Sequence, residues 1–484
     1  METSYEDYVR QRAQKNPCLN SLVDYLQETP GTVCKGYLMF TDSASVSACH
    51  FAADMIPEIS RPSPVESTRL VLMENIHSTS ICQLGEQLGI DPMFFAGHVT
   101  TDLQDMENAL LPPSLTTLPS TSAERGYINI HYQQVLDLGS SALFEDAPCS
   151  LKTDDNISRN VRLLPPLSGK QIGLVQSCCS IIVKKIGNVQ IGEFISSLTD
   201  RKHKMLTLTE GLILVDPPIN RVYKTTESGS QQIYDAKRLH GGLEDFTHPA
   251  TFDTTADQEE EEWDNSSIRD CLMQYVTFTP GILRPTKEVP FILDVAYFPV
   301  RIILNEWNTY AHLTTRYLKY FEVSMNDITS RLRNDDMIDL QSWRRRNRQS
   351  QHQLIALAEF LDYHRTDIPR ESQIIRWALI VKDIRYMSRQ METDGQSLEQ
   401  MISAATSMVQ LLDAIRSILE AINMRRLTSI ALLFIPLSWL AYVFSMSGQY
   451  LPGNWLFLVY LVLGLPVLGA ASLFTKLPIN RASL

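Results

Sequence analysis

The sequence predicts an α+β cytosolic domain with long stalk helices, followed by a C-terminal hairpin of two transmembrane helices. Three observations predict this fold class. Residues 427–474 contain no Asp, Glu, Lys, Arg or His over 48 consecutive positions. Short β-branched runs alternate with helical patterns in the first half of the chain. An apolar stripe at steps of three and four residues precedes the charge-free stretch, as in a helix that packs in a bundle.

The first half of the chain predicts a cytosolic mixed α/β domain over residues 66–219, after a poorly defined leader over residues 1–65. Asp91 followed by Pro92 predicts a helix start, because an aspartate caps free backbone N–H groups and proline suits the first helical turn. Apolar periodicity predicts a helix at residues 78–88 and strands at residues 69–74, 127–138, 180–183 and 211–215.

The second half begins with residues 220–267, which carry the acidic run 259–262 and are predicted to be a disordered insertion. Residues 268–426 are predicted to form long helices and a stalk. A break is expected at residues 393–395, Thr-Asp-Gly, after which no proline occurs until Pro436. The apolar stripe of this last segment consists of Ile402, Ala405, Val409, Leu412, Ile415, Leu419 and Ile422.

The charge-free stretch contains two apolar runs, residues 427–444 and 455–474, which are 18 and 20 residues long. At a rise of 1.5 Å per residue, such helices reach about 27 and about 30 Å, enough to cross the hydrocarbon core of a bilayer. We therefore predict two transmembrane helices within residues 427–474 and a cytosolic tail at residues 475–484.

The flanking charges predict the orientation of the hairpin. Arg425 and Arg426 precede the first run and Lys476 follows the second, whereas the connection at residues 445–454 has no charge. Because basic residues favour the cytosolic side, both termini are predicted to be cytosolic. The expectation is a two-pass integral membrane protein, in the plasma membrane in preference to an internal one. A plain two-span anchor for a cytosolic domain fits the hydropathy equally well.

Three short runs around the first span carry a resemblance. They are Arg-Arg-Leu-Thr at 425–428, Phe-Ile-Pro-Leu-Ser at 434–438 and Phe-Ser-Met-Ser at 444–447. Together they resemble the first membrane helix of CorA-like divalent-cation (Mg²⁺) transporters, most closely the fungal branch. A Gly-Met-Asn signature closes that helix in the family. Its positions here are Ser445, Met446 and Ser447, so only the methionine is kept.

The resemblance implies a homopentamer in which five first helices line a pore and five second helices pack outside them. The transported ion would be Mg²⁺ or another divalent cation, with no other cofactor. Ser447 hydroxyls would accept hydrogen bonds from the water shell of the ion, because Mg²⁺ dehydrates reluctantly. Apolar residues at the cytosolic end would gate by dewetting. Steps of three and four back from Ser445 place the pore-lining face at Met424, Leu427, Ala431, Ile435, Ser438 and Tyr442.

The same face also fits simple packing between helices. Five rings of Tyr442 at one level would obstruct a pore, and the outer connection carries no acidic residue to concentrate cations. Two other interpretations therefore stay open beside divalent transport. One is a transport-dead relative that acts as a membrane-anchored sensor or scaffold. The other is a transporter of zinc or another cation.

Composition excludes several classes of function. The net charge of −12 argues against a general nucleic-acid binder. The chain has no phosphate-binding loop, no GxGxxG, no nucleophile elbow and no paired HxxxH, so we expect no enzyme and no catalytic residue. Eight cysteines without a CxxC pair suggest neither a zinc ribbon nor a disulfide framework. Metal-binding residues outside the outer mouth are not identifiable from the sequence.

Two smaller features each allow two interpretations. The run Arg344-Arg345-Arg346 with Arg348 fits a phosphate or lipid-headgroup site, or a solvated helix face. The pair Cys178-Cys179 fits a redox function, or a structural position beside a strand.

Overall fold

The computed structural model describes most of the chain and divides it into two compact units, residues 1–398 and 399–484. The described residues are 4–29, 31–41, 46–52, 68–100, 117–144, 150–186, 208–225, 231–239, 267–278, 291–326, 334–365, 371–445, 455, 458–459, 462–466 and 469.

The described helices and strands confirm the α+β prediction. The helices are α1 Tyr5–Ala13, α2 Asn20–Gln27, α3 Ser78–Leu88, α4 Pro92–Val99, α5 Pro119–Arg125, α6 Ile268–Phe278, α7 Phe291–Asn326, α8 Asn334–Arg365 and α9 Glu371–Ser445. The strands are β1 Lys35–Thr41, β2 Val46–Ala52, β3 Thr68–Glu74, β4 Tyr127–Ser140, β5 Ser150–Thr153, β6 Asn160–Leu163, β7 Lys170–Ile186, β8 Leu208–Val215, β9 Arg221–Thr225, β10 Gln231–Asp235 and β11 Lys237–Arg238.

One mixed sheet holds the strands together, and β7 is its longest member. Along one edge β7 pairs with β4, and its other edge is divided between β6 and β8. The sheet continues from β8 through β3 and β1 to β2, with β8 and β3 parallel and the other pairs antiparallel. The strands predicted at 69–74, 127–138, 180–183 and 211–215 are confirmed, each as part of β3, β4, β7 or β8.

The other end of the sheet closes into a ring. Hydrogen-bonded pairs run from β4 through β7, β6, β5 and β9 to β10, and β11 then returns to β4. The ring encloses a small apolar core because successive strand residues point to opposite faces, and one face of each strand turns inward. This core contains Leu136, Leu151, Val161, Val175 and Val222.

The prediction that residues 220–267 are a disordered insertion is wrong for the part of this segment that belongs to the ring. Residues 221–225, 231–235 and 237–238 form β9, β10 and β11. Most of their side chains are polar because only one face of these short strands is covered. Val222 is buried, and Tyr234 stacks on Phe144 with ring centroids 4.6 Å apart. The acidic run 259–262 lies outside the described residues.

The leader predicted at 1–65 is also ordered over much of its length, as α1, α2, β1 and β2. Its helices were missed because they are short and polar on one face. Tyr5 and Tyr25 attach them to the domain: their hydroxyls donate to the carbonyl oxygens of Ile90 and Ile76, at 2.9 and 2.8 Å. Helices α1–α4 cover one face of β3 and β8, and their shared core includes Phe94 and Phe95.

Local signals predicted α3 and the start of α4 well. The helix predicted at 78–88 has those bounds in the structure. Asp91 caps α4 as predicted, because its carboxylate accepts a hydrogen bond from the backbone N–H of Met93 at 3.1 Å and Pro92 occupies the first helical turn.

The long helices α7 and α8 pack through aromatic side chains. Trp343 of α8 stacks on Tyr310 of α7 and lies 5.1 Å from the ring centroid of Tyr317. Helix α7 also packs against β4 and β7. Buried Glu306 of α7 forms an ion pair with Arg238 of β11, which joins the helical layer to the ring of strands.

The break predicted at 393–395 is wrong, because α9 runs without interruption from Glu371 to Ser445, over 75 residues. Gly395 serves packing instead of ending the helix. A Cβ atom at this position would lie 2.9 Å from the side-chain nitrogen of Asn347 on α8. Asp394 is buried beside it and accepts a hydrogen bond from the hydroxyl of Thr315 at 3.4 Å.

Candidate functional site

The predicted pore-lining face lies on the last third of α9, and its side chains are exposed in the single chain. Met424 and Leu427 are 64% and 63% exposed, and Ile435 and Tyr442 are 65% and 70% exposed. Ala431 and Ser438 are exposed as well. Residues on other faces of the same helix, such as Leu432 and Phe434, are exposed as well, so exposure does not distinguish the predicted face. The pore-lining assignment stays a prediction.

The outer-mouth signature is described only in part. Ser445 is the last residue of α9 and is exposed. Met446 and Ser447, together with Lys476, lie outside the described residues. Arg425 and Arg426 are exposed on α9, immediately before the apolar residues.

Hydroxyl groups within this part of α9 are satisfied inside the helix. Thr428 and Ser429 donate to the carbonyl oxygens of Met424 and Arg425, each at 2.8 Å. Ser438 donates to the carbonyl oxygen of Ile435 at 2.9 Å, close to Pro436, which itself has no N–H to donate. Such internal bonds let polar side chains sit in apolar surroundings at little cost.

In the part of the chain that the structure describes, no helix combines the length and the apolar character needed to cross a membrane.

The described residues also contain no group of three or more His, Cys, Asp or Glu side chains that could hold a metal ion.

A buried polar network lies in the first unit and was not predicted. Arg159 and Asp216 form a two-pronged ion pair, with nitrogen–oxygen distances of 2.8 and 3.1 Å. Their side chains are only 3% and 7% exposed. Arg159 also donates to the carbonyl oxygens of His98 and Val99, both at 2.9 Å, and Asp216 accepts the backbone N–H of Cys178 at 2.9 Å.

Charge complementarity controls the protonation of this network. Burial is the largest single effect and raises the pKa of Asp216. The charge and hydrogen bonds of Arg159, together with contributions from His98 and the backbone N–H of Cys178, outweigh burial and lower that pKa. Burial lowers the pKa of His98 to about 4, against the opposing effect of Asp216. Burial and then Arg159 lower the pKa of His131 to about 3. The network therefore holds one stable ion pair beside two neutral histidines, and we assign it a structural role.

The two histidines make stability depend on pH. Their folded-state pKa values lie below the usual value near 6.5, so the unfolded chain binds more protons between those limits. Their contribution is fully present above about pH 6.5 and falls as the pH decreases. We expect the free energy of unfolding to drop by roughly 2 kcal/mol for each histidine between pH 7.5 and pH 5.

Denaturant unfolding of the full chain in detergent, followed by tryptophan fluorescence at both pH values, measures this drop. The variant His131→Leu should reduce the pH dependence, while His352→Gln, at an exposed position, should leave it unchanged. Equal stability of the wild type at the two pH values would contradict the assignment.

The structure favours a structural role for the Cys178-Cys179 pair and for part of the arginine cluster at 344–348. Cys178 and Cys179 are buried in β7, and burial raises the pKa of Cys178 to about 12, which disfavours the reactive thiolate. Arg346 lies over the ring of Trp343, 4.8 Å from its centroid, so at least this arginine of the cluster packs against the helical layer.

Comparison with known proteins gives distant structural similarities. No family model and no curated protein match the sequence. The complete structure of the CorA magnesium transporter from Methanocaldococcus jannaschii is 11% identical, covers 92% of this chain and 97% of its own, and has a TM-score of 0.39. The structure of the full-length CmaX protein is 10% identical, covers 93% of this chain and 97% of its own, and has a TM-score of 0.36. Similarity at these scores carries no argument about the activity of this chain.

Proposed function

We propose that the protein is a CorA-like membrane transporter or channel for divalent cations, Mg²⁺ first among them, and not an enzyme. The observation that carries the proposal is the course of α9. This helix leaves the first unit and leads into the stretch 427–474, which has no charged residue or histidine. Among its described side chains beyond Leu411, large apolar ones such as Leu412, Ile418 and Trp439 are exposed in the single chain.

The uncovered side chains support assembly and membrane insertion on energetic grounds. Burying one Leu, Ile or Phe side chain stabilises a protein by about 1.5–3 kcal/mol relative to leaving it in water. Helix α9 exposes such residues both before and after Arg425, as at Ile415, Leu419, Leu427 and Phe434. We assign the segment before Arg425 to contacts between copies of the chain, and residues 427–474 to the bilayer.

In this arrangement a homopentamer places the face from Met424 to Tyr442 around its axis. Met424 and Leu427 form the apolar constriction at the cytosolic end, and Ser445, Met446 and Ser447 form the outer mouth. Hydroxyl oxygens at that mouth hold a hydrated cation through its waters, because replacing the waters of Mg²⁺ is costly.

Ion flux into liposomes that carry the purified protein tests this function. Mg²⁺, Co²⁺, Ni²⁺ and Zn²⁺ are supplied in turn, and native mass spectrometry measures the oligomer. Ser438→Trp should block flux because it fills the proposed pore face. Its matched control, Leu432→Trp, lies about 120° around the helix from Ser438 and should still conduct. Equal flux in both variants would contradict the pore assignment, and flux of Zn²⁺ alone would favour the zinc transporter.

A second candidate is a transport-dead relative that serves as a membrane-anchored sensor or scaffold. The specific observation in its favour is Tyr442, whose bulky side chain lies on the proposed pore face and is 70% exposed. A pentamer that conducts none of the four cations would support this candidate.

In the proposed topology the protein spans the plasma membrane and both termini lie in the cytosol. This orientation depends on the basic residues that flank the spans, which can be tested. Replacing Arg425 and Arg426 together by Ala should disturb orientation more than Lys476→Ala. The two arginines adjoin the first span, and each basic residue near an anionic leaflet contributes about 1 kcal/mol. Accessibility of a C-terminal epitope in intact cells measures the mixture of orientations. Equal proportions of the two orientations in both variants would contradict the prediction.

A further inference from the structure

A partly open cavity with about 70 Å³ of solvent-accessible space lies in the first unit, beside the start of β4. Helix α5 and the start of β4 near Tyr127 form one side, and helices α7 and α8 form the other. Trp307 and Phe360 contribute aromatic walls, and Met93 contributes a flexible apolar one. His131 lines the cavity and is also one of the two histidines of the network around Arg159. The cavity is remote in sequence from the proposed pore face.

The floor of the cavity is an unpaired strand edge. The N–H of Val183 on β7 donates to the carbonyl oxygen of Gly126, and the same register pairs Ile128 with Ile181 and Ile130 with Cys179. In an antiparallel pair, alternate residues direct their backbone groups to the partner strand and to the opposite edge. Asn129, between Ile128 and Ile130, therefore turns its N–H and C=O away from β7.

Among the described residues, the opposite edge of β4 forms backbone hydrogen bonds only farther along the strand, with residues at and after β11. The N–H of Leu239 donates to the carbonyl oxygen of Val135 at 2.9 Å, and β11 pairs with Leu136 and Asp137. Within the described residues, no strand pairs with that edge at Asn129 or His131. Because the N–H and C=O of such a residue lie side by side, this edge offers one donor and one acceptor to a molecule in the cavity.

The side chains around the edge define the charge of a suitable ligand. Of the described residues that line the cavity, none is Asp, Glu, Lys or Arg. Gln353 lines the cavity, and its buried Oε1 atom has no hydrogen-bond partner among the described residues. An unmet buried acceptor is costly and would be satisfied by an N–H of a ligand.

We propose that this cavity binds a neutral, planar nitrogen heterocycle of the nucleobase type. Such a ring carries a donor and an acceptor on adjacent atoms, which match the paired C=O and N–H at the edge of β4. Its flat apolar faces match walls that include Trp307 and Phe360. The absence of charged lining side chains favours an uncharged base over a phosphate-bearing nucleotide. The site would be a ligand-responsive element separate from transport.

Equilibrium dialysis of radiolabelled adenine against the full chain in lipid nanodiscs tests the proposal. Adenine presents N1 as acceptor beside the N6 amino group as donor. Purine has the same ring without that amino group, so it cannot reach the strand carbonyl and should bind about tenfold more weakly. Equal binding of adenine and purine would overturn recognition by the strand edge, and no binding of adenine would overturn the site.

A pair of adjacent variants locates the binding. Ala356 of α8 lines the cavity, so Ala356→Phe should fill it and weaken adenine binding at least tenfold. Ile355 is exposed and does not line the cavity, so Ile355→Phe should bind adenine as the wild type does. Circular dichroism confirms that each variant is folded. Equal affinity of the two folded variants would overturn the assignment to this cavity.

Discussion

Replacing Arg159 with Met should lower the free energy of unfolding by about 3–5 kcal/mol, because it leaves a buried carboxylate without its partner. Asp216 is 7% exposed and would keep the hydrogen bond from the N–H of Cys178 and the neighbouring His98, whose Nε2 lies 3.7 Å from its carboxylate. The double change Arg159→Met with Asp216→Leu should recover part of this loss, since it removes both charges and leaves apolar groups of similar size.

Denaturant unfolding of the wild type, the single variant and the double variant measures the effect. Arg125→Met is the matched control, because Arg125 forms its 3.0 Å ion pair with Asp91 at the surface and is 42% exposed. Loss of an exposed pair should cost less than about 1 kcal/mol. If Arg159→Met were as mild as Arg125→Met, the network would not hold the domain together as described.

The network illustrates why parts of this fold could not be predicted from the sequence. Nothing local distinguishes Arg159 or Asp216 from the other charged residues of the chain. Arg159 is the residue before β6 and Asp216 the residue after β8, and α4 supplies the two carbonyl oxygens that Arg159 reaches. Only the tertiary arrangement brings these three elements together.

Elements with strong local signals were predicted well. The bounds of α3 follow from apolar spacing, and the start of α4 follows from Asp91 and Pro92. Strands β9 and β10 were missed because one-sided burial leaves their sequences mostly polar. The break expected at Gly395 was wrong because glycine there accommodates the close approach of Asn347, a contact that no single segment reveals.

The two candidate sites also differ in how far the sequence could indicate them. The proposed pore face follows from residue spacing within one helix, counted from Ser445, and from the resemblance to CorA-like transporters, so its residues could be proposed from the sequence. The cavity beside β4 combines a strand edge with side chains from α5, α7 and α8. Because these elements lie far apart in the chain, as Ser122 and Gln353 do at a separation of 231 residues, their sequences give no sign of a common cavity.

The outer mouth should limit transport, so Ser445→Gly combined with Ser447→Asn should raise divalent-cation flux at least tenfold over the native protein. A factor of ten corresponds to about 1.4 kcal/mol, which is within the range of one added hydrogen bond. Ser445 is the last residue of α9, where glycine permits the left-handed backbone that often ends a helix. An asparagine at 447 has a longer side chain with both an acceptor and a donor, which can reach the waters around a centred ion.

The aromatic side chain of Tyr442 is the alternative obstruction of the pore. A third substitution, added to the double variant, distinguishes it from the outer mouth. If Tyr442 blocks the pore, the double variant will conduct no better than the wild type, and adding Tyr442→Gly will raise flux. If the mouth alone is limiting, the double variant will already conduct. Mg²⁺ and Zn²⁺ flux in liposomes measures both outcomes, with native mass spectrometry to confirm the oligomer. Pentamers of both variants that conduct neither cation would refute the transporter and leave the sensor or scaffold.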